Sequence, residues 1–377
     1  MLKDNSVKRE DSELTQAARK SPSYLELTWY KFKENKMAVA GSVILIILYI
    51  VCFVFPEFFA PYPLEYTTEY LAAPPQWPHF FDKEGNFSLR PFVYGYEEKV
   101  DQENLRRYFV IDTSKKYPIY FFSRGKPYKL WHIFPGDIHF FGTKEGTIFI
   151  LGTDQLGRDL FSRILYGGRI SLSIGLVGVF LSLVLGVTLG TISGYFGGFV
   201  DMAMQRVIEL LMSFPSIPLW MALAAIVPPT WSPYLVYFAI TIILSIIGWG
   251  WLARQIRGMV LSLREQEFVL AARSFGANHR HIIIRHLIPN CMSHIIVVAT
   301  LSIPNMILGE TALSFLGLGL HPPMTSWGVL LKETQNVRAL RFSPWFVIPV
   351  FFVILTVLCY NFLGDGLRDA ADPFSRR

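Results

Sequence analysis

The chain has 377 residues, 52% of them hydrophobic and only 17% charged, with a formal charge of +6. This balance argues against a soluble enzyme and for a polytopic membrane protein. The cations gather at the ends of apolar runs and form no groove-tracking patch, which disfavours nucleic acid as a partner.

Residues 1–36 read as a cytoplasmic tail with a short amphipathic approach helix, SYLELTWYKFKENK. Lys3, Lys8, Arg9, Arg19, Lys20, Lys31, Lys33 and Lys36 put this end in the cytoplasm by the positive-inside rule. Residues 37–55, Met37 to Phe55, carry no charge and, at about 1.5 Å per residue, nearly cross a hydrocarbon core of about 30 Å. This first span is too long and too far from the start for a cleaved signal peptide, so it reads as a retained anchor. Residues 56–168 form the longest loop, rich in Tyr, Phe, Trp and Pro. Its runs YFVID, YPIYFF and YKLWHIF, divided by turn residues such as SRGKP, predict a small β-rich insert on the extracytoplasmic side.

Residues 169–377 hold the remaining spans, the next being Ile170 to Val200. In it Gly178, Ser182, Gly186, Gly190 and Gly194 recur every four residues. Small residues at that spacing let another helix approach to backbone distance. The uncharged run Leu210 to Ala253 is too long for one crossing and reads as two antiparallel spans joined at VPPTWSP. Leu287 to Gly309, with Pro304 as a candidate kink, and Phe342 to Gly364 bring the expected count to six, which returns the C-terminus to the cytoplasm. Glu310 sits toward the outer end of its span and is a candidate pathway or interface residue, because a charge at that depth faces a cavity or a partner. Cys52, Cys291 and Cys359 lie in or beside spans without metal or pairing spacing and read as apolar fillers.

Between the fourth and fifth spans lies a cytoplasmic loop, 253–290, that contains EFVLAARSFGANHRHIIIRHLIPN. Ala271 and Ala272 give a small-faced helix that Gly276 closes, with Arg273 and Arg280 at its rim. Such a helix suits a groove on another protein, and the run IIIRHLIP carries any force on it directly into the next span. His279, His281 and His286 are two, five and seven residues apart, so no pair has the i, i+4 metal spacing, and no metal site is expected. There is no G-x-x-x-x-G-K-[ST] phosphate loop and no G-x-S-x-G elbow, so neither ATP binding by that route nor catalysis by this chain is expected.

The loop resembles the EAA loop of ABC-importer permeases, whose pattern is E-A-A, three residues, Gly, and later I-x-L-P. Ala271, Ala272, Gly276 and Pro289 match; Leu270 stands where the family usually has Glu, and Glu267 is the carboxylate one turn earlier. GTDQLGRDLFSRILYGGRISLSIG (Gly152 to Gly175), SGYFGG (Ser193 to Gly198), SFLGLGL…SWG (Ser314 to Gly328) and NFLGDGLRDAADP (Asn361 to Pro373) are similar to the dipeptide/oligopeptide permease family, and within it to the C-subunit type.

That resemblance implies an all-α polytopic protein with the six-helix type I importer fold, in a bacterial inner membrane. It further implies a homologous second permease, two cytoplasmic ATPases that carry ATP and Mg, and an extracytoplasmic solute-binding protein. Glu267, Ala271, Ala272, Arg273, Gly276, Arg280 and Pro289 would then form the ATPase-coupling element. Peptide is the cargo it points to, with oligosaccharide or nickel as alternatives on the same machinery. A proton-coupled secondary transporter needs more intramembrane acids than the sequence supplies, and an intramembrane hydrolase needs a nucleophile–base or metal constellation it lacks.

Overall fold

The computed structural model describes residues 24–100, 102, 107–131, 133–228 and 230–371. The tail cations up to Lys20, and Pro373 in the last motif, lie outside the described residues.

Helix α1 (Tyr24–Glu34) is amphipathic. It buries Phe32 against Ala38 and Ala370, while Trp29 stacks on Phe32 and takes the Lys33 ammonium on its ring. Asn35 ends α1 and caps α2 (Lys36–Leu48), its side-chain oxygen accepting the Ala38 N–H at 3.2 Å. Helix α2 runs on into a π-helical segment, Tyr49–Val54, and together they make a 19-residue apolar span. Its length, about 28 Å at 1.5 Å per residue, matches a hydrocarbon core. The short α3 (Pro56–Phe59) then turns the chain out of that line.

The insert is one antiparallel meander of β1 (His79–Phe81), β2 (Phe87–Val100), β3 (Arg107–Leu130) and β4 (Phe134–Thr143), in that spatial order. YFVID and YPIYFF therefore do become strand, both within β3, but YKLWHIF spans the end of β3 and the start of β4, and SRGKP is not a hairpin turn. It lies inside the 24-residue β3, where the register slips between Arg124, opposite Ile138, and Tyr128, opposite Gly136. Gly125 and Pro127 weaken the ladder there, and the strand bulges rather than reverses. The first half of β3 pairs with β2 and the second with β4, so β3 is the spine of the sheet.

Helix α4 (Leu160–Phe196) starts ten residues before Ile170, so the boundary expected at residue 168 falls within a helix. Arg163 and Arg169 interrupt the uncharged run there, yet both are neutralised by carboxylates and the helix continues through them. It stops at Gly197, and Gly197 and Gly198 both have positive φ, +67° and +54°. The chain re-enters as α5 (Gly198–Met212) and α6 (Ser216–Ala224), bent by 85° at a break containing Pro215. This bent pair, and not a straight run from Leu210, is the first arm of the expected third-and-fourth-span hairpin. Asp201, Arg206 and Glu209 on α5 hid its start from any search for uncharged stretches.

After the turn at Pro228 to Trp231 come α7 (Pro233–Leu263), α8 (Glu267–Ser274) and α9 (His279–Ile282). A second π segment, Ile283–Leu287, joins α9 to α10 (Ile288–Phe315). Helices α11 (Trp327–Lys332) and α12 (Val337–Phe342) precede the last span, α13 (Ile348–Ala371), which begins six residues later than Phe342 and runs past Gly364. Among the described residues, five helices are long and apolar enough to cross a membrane, six when the bent pair counts as one span.

The bundle has an insert end and a loop end. At the insert end Trp131 of the β3–β4 turn donates to the Val54 carbonyl, and Trp345, just before α13, donates to the Thr153 carbonyl in the loop before α4. At the loop end α8 and α9 pack beneath Tyr195. The main core runs between them, with Leu172, Ile240, Leu244, Ile307 and Trp327 fully enclosed.

Candidate functional site

The 267–290 stretch folds at the loop end much as a protruding knob. Glu267 starts α8 in its first turn, where a carboxylate complements the helix dipole, and Arg273 ends it. Val269 is fully buried and Ala272 half-buried, both against Ile256, Val260, Ile282 and Leu287, so this side of α8 is fixed to the bundle. The opposite side is bare. Phe268, Leu270 and Ala271 are exposed, and Phe275 at the helix C-cap is 92% exposed. Gly276 follows at φ +82°, the left-handed geometry that ends a helix and favours glycine. Its N–H donates to Arg273 and the Ala277 N–H to Ala272, closing the last turn. Nothing lies within 4 Å of where a Gly276 side chain would stand.

Beyond the glycine, Asn278 caps α9 by accepting the His281 N–H at 2.8 Å. His279 is held by the Tyr195 hydroxyl at 2.9 Å, and the Arg273 guanidinium sits over the Tyr195 ring. Arg280 is exposed. Pro289 lies just past the π segment, at the start of α10. The stretch that would convey movement from α8 into α10 is thus short, partly π-helical and without a flexible linker. Among the described residues no group of three or more His, Cys, Asp or Glu could hold a metal ion.

The small-residue row on α4 faces α7. A side chain at Gly190 would stand 2.5 Å from the Ala253 carbonyl, at Gly186 2.9 Å from Leu252, and at Gly194 2.8 Å from the Arg257 carbonyl. Ser182 donates to the Ser245 carbonyl and Ser245 returns a bond to the Gly178 carbonyl, both at 3.0 Å. The row therefore packs within this chain. Pro304 lies inside α10 on a buried face.

Glu310 is fully enclosed. Three serine hydroxyls donate to its carboxylate: Ser314 at 2.7 Å, Ser326 at 2.6 Å and Ser171 at 3.1 Å. Ser171 and Ser326 are on α4 and at the cap of α11, so this acid ties three elements together inside the subunit, and the hydroxyls supply the polar partners that a charge at this depth requires.

Sequence reasoning overlooked two clusters. In the first, Asp154 lies in the loop before α4; its carboxylate accepts the Leu156 and Arg158 N–H groups and pairs with the Arg158 and Arg163 side chains. Arg163 also pairs with Glu333 at 2.9 Å, joining the loop to the segment after α11. Asp159 caps α4 in the same region, and burial pushes its carboxyl up to about 7. In the second cluster Arg257 of α7 grips Asp201 of α5 through both carboxylate oxygens at 2.5 Å, and Ser193 donates to the same acid. A spacing search has no purchase on such pairs, since 56 residues separate Asp201 from Arg257.

Residues 186–377 match the model of the binding-protein-dependent transport system inner membrane component family, and residues 23–75 match that of the N-terminal TM domain of oligopeptide transport permease C. The oligopeptide transport system permease protein OppC of Haemophilus influenzae is 46% identical over 235 residues, 62% of this chain and 73% of that protein. The dipeptide transport system permease protein DppC of Bacillus subtilis is 32% identical over 361 residues, 95% of this chain and 88% of that protein. Among solved structures, an inward-facing MetNI methionine ABC transporter aligns with 55% of this chain and 95% of that one, at 18% identity and a TM-score of 0.42. The chain therefore belongs to the binding-protein-dependent transport system inner membrane components, permease subunits of ABC importers, here carrying a four-stranded insert after the first span.

Proposed function

We propose that this subunit forms half of the translocation pathway of a di- or oligopeptide importer and is driven through α8 by an ATPase bound at the loop end. The cargo rests on similarity to the oligopeptide and dipeptide permeases. The drive rests chiefly on one observation: Phe275, 92% exposed, crowns a short helix whose other face is locked to the bundle. A lone phenylalanine held out of the fold by a closing glycine is an anchor in want of a pocket. Phe268, Leu270 and Ala271 widen the apolar contact, while Glu267, Arg273 and Arg280 ring it with charge, and Gly276 keeps the exit from the helix slim. The family's usual Glu is Leu270 here, so apolar contact takes the place of a carboxylate at that position.

In this reading the loop end and both termini are cytoplasmic and the insert end is extracytoplasmic, in agreement with the arginines at 254, 257, 264, 273, 280 and 285. Residues 1–36 form the tail and approach helix, 37–55 the first span, 56–168 the insert with the start of α4, and 169–377 the rest of the transmembrane domain. ATP and Mg belong to the ATPase subunits, a second permease completes the pathway, and a solute-binding protein delivers cargo at the insert end. Closure of the ATPases pushes α8, and the π segment and Pro289 carry the displacement into α10.

The test is Phe275→Asp in the co-expressed complex. Because Phe275 has almost no contact within the chain, the unfolding midpoint of the isolated subunit should stay unchanged. Co-purification of ATPase and ATP-driven peptide uptake in vesicles should both fall by more than about 10-fold, the equivalent of about 1.4 kcal/mol. Uptake at the wild-type rate would refute the coupling role.

A further inference from the structure

The turn of the β3–β4 hairpin reads LWHIFPG from Leu130 to Gly136, with no acid and six apolar residues or turn formers around one histidine. A soluble hairpin turn is normally polar. Here Ile133 is 70% exposed and Phe134 63% exposed. Their position is fixed by Trp131, whose indole N–H donates to the Val54 carbonyl at 3.0 Å. Val54 is the last residue of the first span, and that span is just long enough to cover the hydrocarbon core. The hairpin turn is thus held at the level where the core ends.

Neighbouring groups repeat this arrangement. Arg169 lies over the Trp131 ring, with 4.6 Å from guanidinium carbon to centroid, and Phe53 meets the same ring edge-on. Phe122, 65% exposed, adjoins Phe58 and Phe140 just beyond the end of the span. Trp131 and Phe122 both have positive φ, +52° and +53°, a strained conformation for bulky aromatic residues that holds only where the surroundings impose it. The turn thus adjoins the end of the first span through Phe53 and Val54, and that span leaves Val43, Ile46, Ile47, Ile50 and Phe55 exposed along its length. Lys129 is exposed on the same turn.

We infer that the β3–β4 turn is a membrane anchor: Ile133 and Phe134 dip into the headgroup–acyl boundary of the leaflet on the insert side, with Trp131 at the interface and Lys129 among the headgroups. The occupant of this surface is lipid. It lies where a spanning helix leaves the hydrocarbon core, and aromatic rings at this depth with a cation beside them are what an interface selects. The insert is then more than an appendage carried in solution. Its spine strand is tethered at one end to the bilayer, and at the other Arg107, Tyr108 and Phe109 line, together with Phe342 and Trp345, a cavity of about 650 Å³. That arrangement lays the sheet across the insert end of the bundle.

The test uses full-length protein in nanodiscs of phosphatidylethanolamine and phosphatidylglycerol, with a nitroxide on one introduced cysteine at a time. The native cysteines Cys52, Cys291 and Cys359 are buried, so labelling falls on the introduced thiol. Lys83→Cys, in the polar β1–β2 turn, marks water, and Ile47→Cys, exposed midway along the first span, marks the acyl region. Collision with oxygen and with a water-soluble nickel chelate reports depth. For Ile133→Cys and Phe134→Cys, the expected result is chelate collision several-fold below the Lys83 site, with oxygen collision between the two markers. A chelate collision rate at both sites equal to that at the Lys83 site would overturn the anchor. So would protection from oxygen and chelate alike, the pattern of a covering protein. Neither readout depends on ATPase or cargo, so this inference stands or falls apart from the coupling role.

Discussion

Asp159 shows at the scale of one side chain what a buried helix cap costs. Its carboxylate accepts the Ser162 N–H and hydroxyl at 2.8 and 2.6 Å, yet one of its oxygens has no partner and the group is fully enclosed. Burial therefore raises its pKa from 3.8 to about 7. Between those values the folded chain holds a proton that the unfolded chain releases, so this group's contribution is complete below 3.8 and is lost as pH rises through about 7. Asp159→Asn keeps the cap and has no charge to bury. Thermal unfolding followed from about pH 4 to about pH 8 should lose part of its downward slope in the variant, which gains on wild type at the alkaline end. Curves that stay parallel would mean that the carboxyl titrates normally. Nothing in DQLGRDLFSR revealed this, because the sequence does not say that the loop before α4 is covered by Trp345 and the segment after α11. Gly276, by contrast, was legible: a lone glycine after a small-faced helix predicts a left-handed closing residue, and its φ is +82°.

At the scale of elements, the four-residue glycine repeat was readable because it encodes a surface, and a surface is a property of spacing. Which helix fills it is a tertiary fact, supplied only by the contacts with α7. Those contacts separate two glycines of the same helix pair. A methyl group at Gly190 meets the Ala253 carbonyl at 2.5 Å and its Cα at 2.9 Å, while one at Gly258 on α7 meets nothing within 4 Å. Gly190→Ala should therefore lower stability by about 1–3 kcal/mol through forced separation of the backbones. Gly258→Ala should be neutral or gain up to about 1 kcal/mol from helix propensity. Unfolding midpoints in detergent distinguish the two, and equal shifts would reduce the row to background composition. The bent pair α5–α6 and the bulge within β3 escaped the sequence for a common reason. Hydropathy and turn composition mark where a chain leaves an apolar environment or a ladder, and both of these irregularities occur inside continuing elements. Asp201 looks like the end of a run until Arg257 is seen to neutralise it, and SRGKP looks like a turn until β4 is seen to pair on both sides of it.

For the whole molecule, the two ends are built on opposite principles. The loop end holds α8 by apolar packing and leaves Phe275 bare, whereas the insert end ties its elements together with buried ion pairs. One that ties the start of the insert to α4 is Arg169 with Glu57: two bonds at 2.5 and 2.7 Å, a third from Arg169 to the Phe53 carbonyl at 3.0 Å, and the guanidinium stacked on Trp131. Glu57 is nearly enclosed, with 8% of its side chain accessible, and Arg169 is its ion-pair partner. Removing one partner of such a pair strands the other, at about 3–5 kcal/mol, whereas replacing both by groups of similar volume is close to neutral. Arg169→Met should therefore lower the unfolding midpoint and free the β3–β4 turn from the end of the first span, seen as new protease cleavage around Leu130 to Gly136. Adding Glu57→Leu to it should restore most of the midpoint but not the stacking on Trp131, so cleavage should recover less than stability does. If single and double variants unfold alike, the pair is not what couples insert to span, and the hold must come from Trp131 and its bond to Val54.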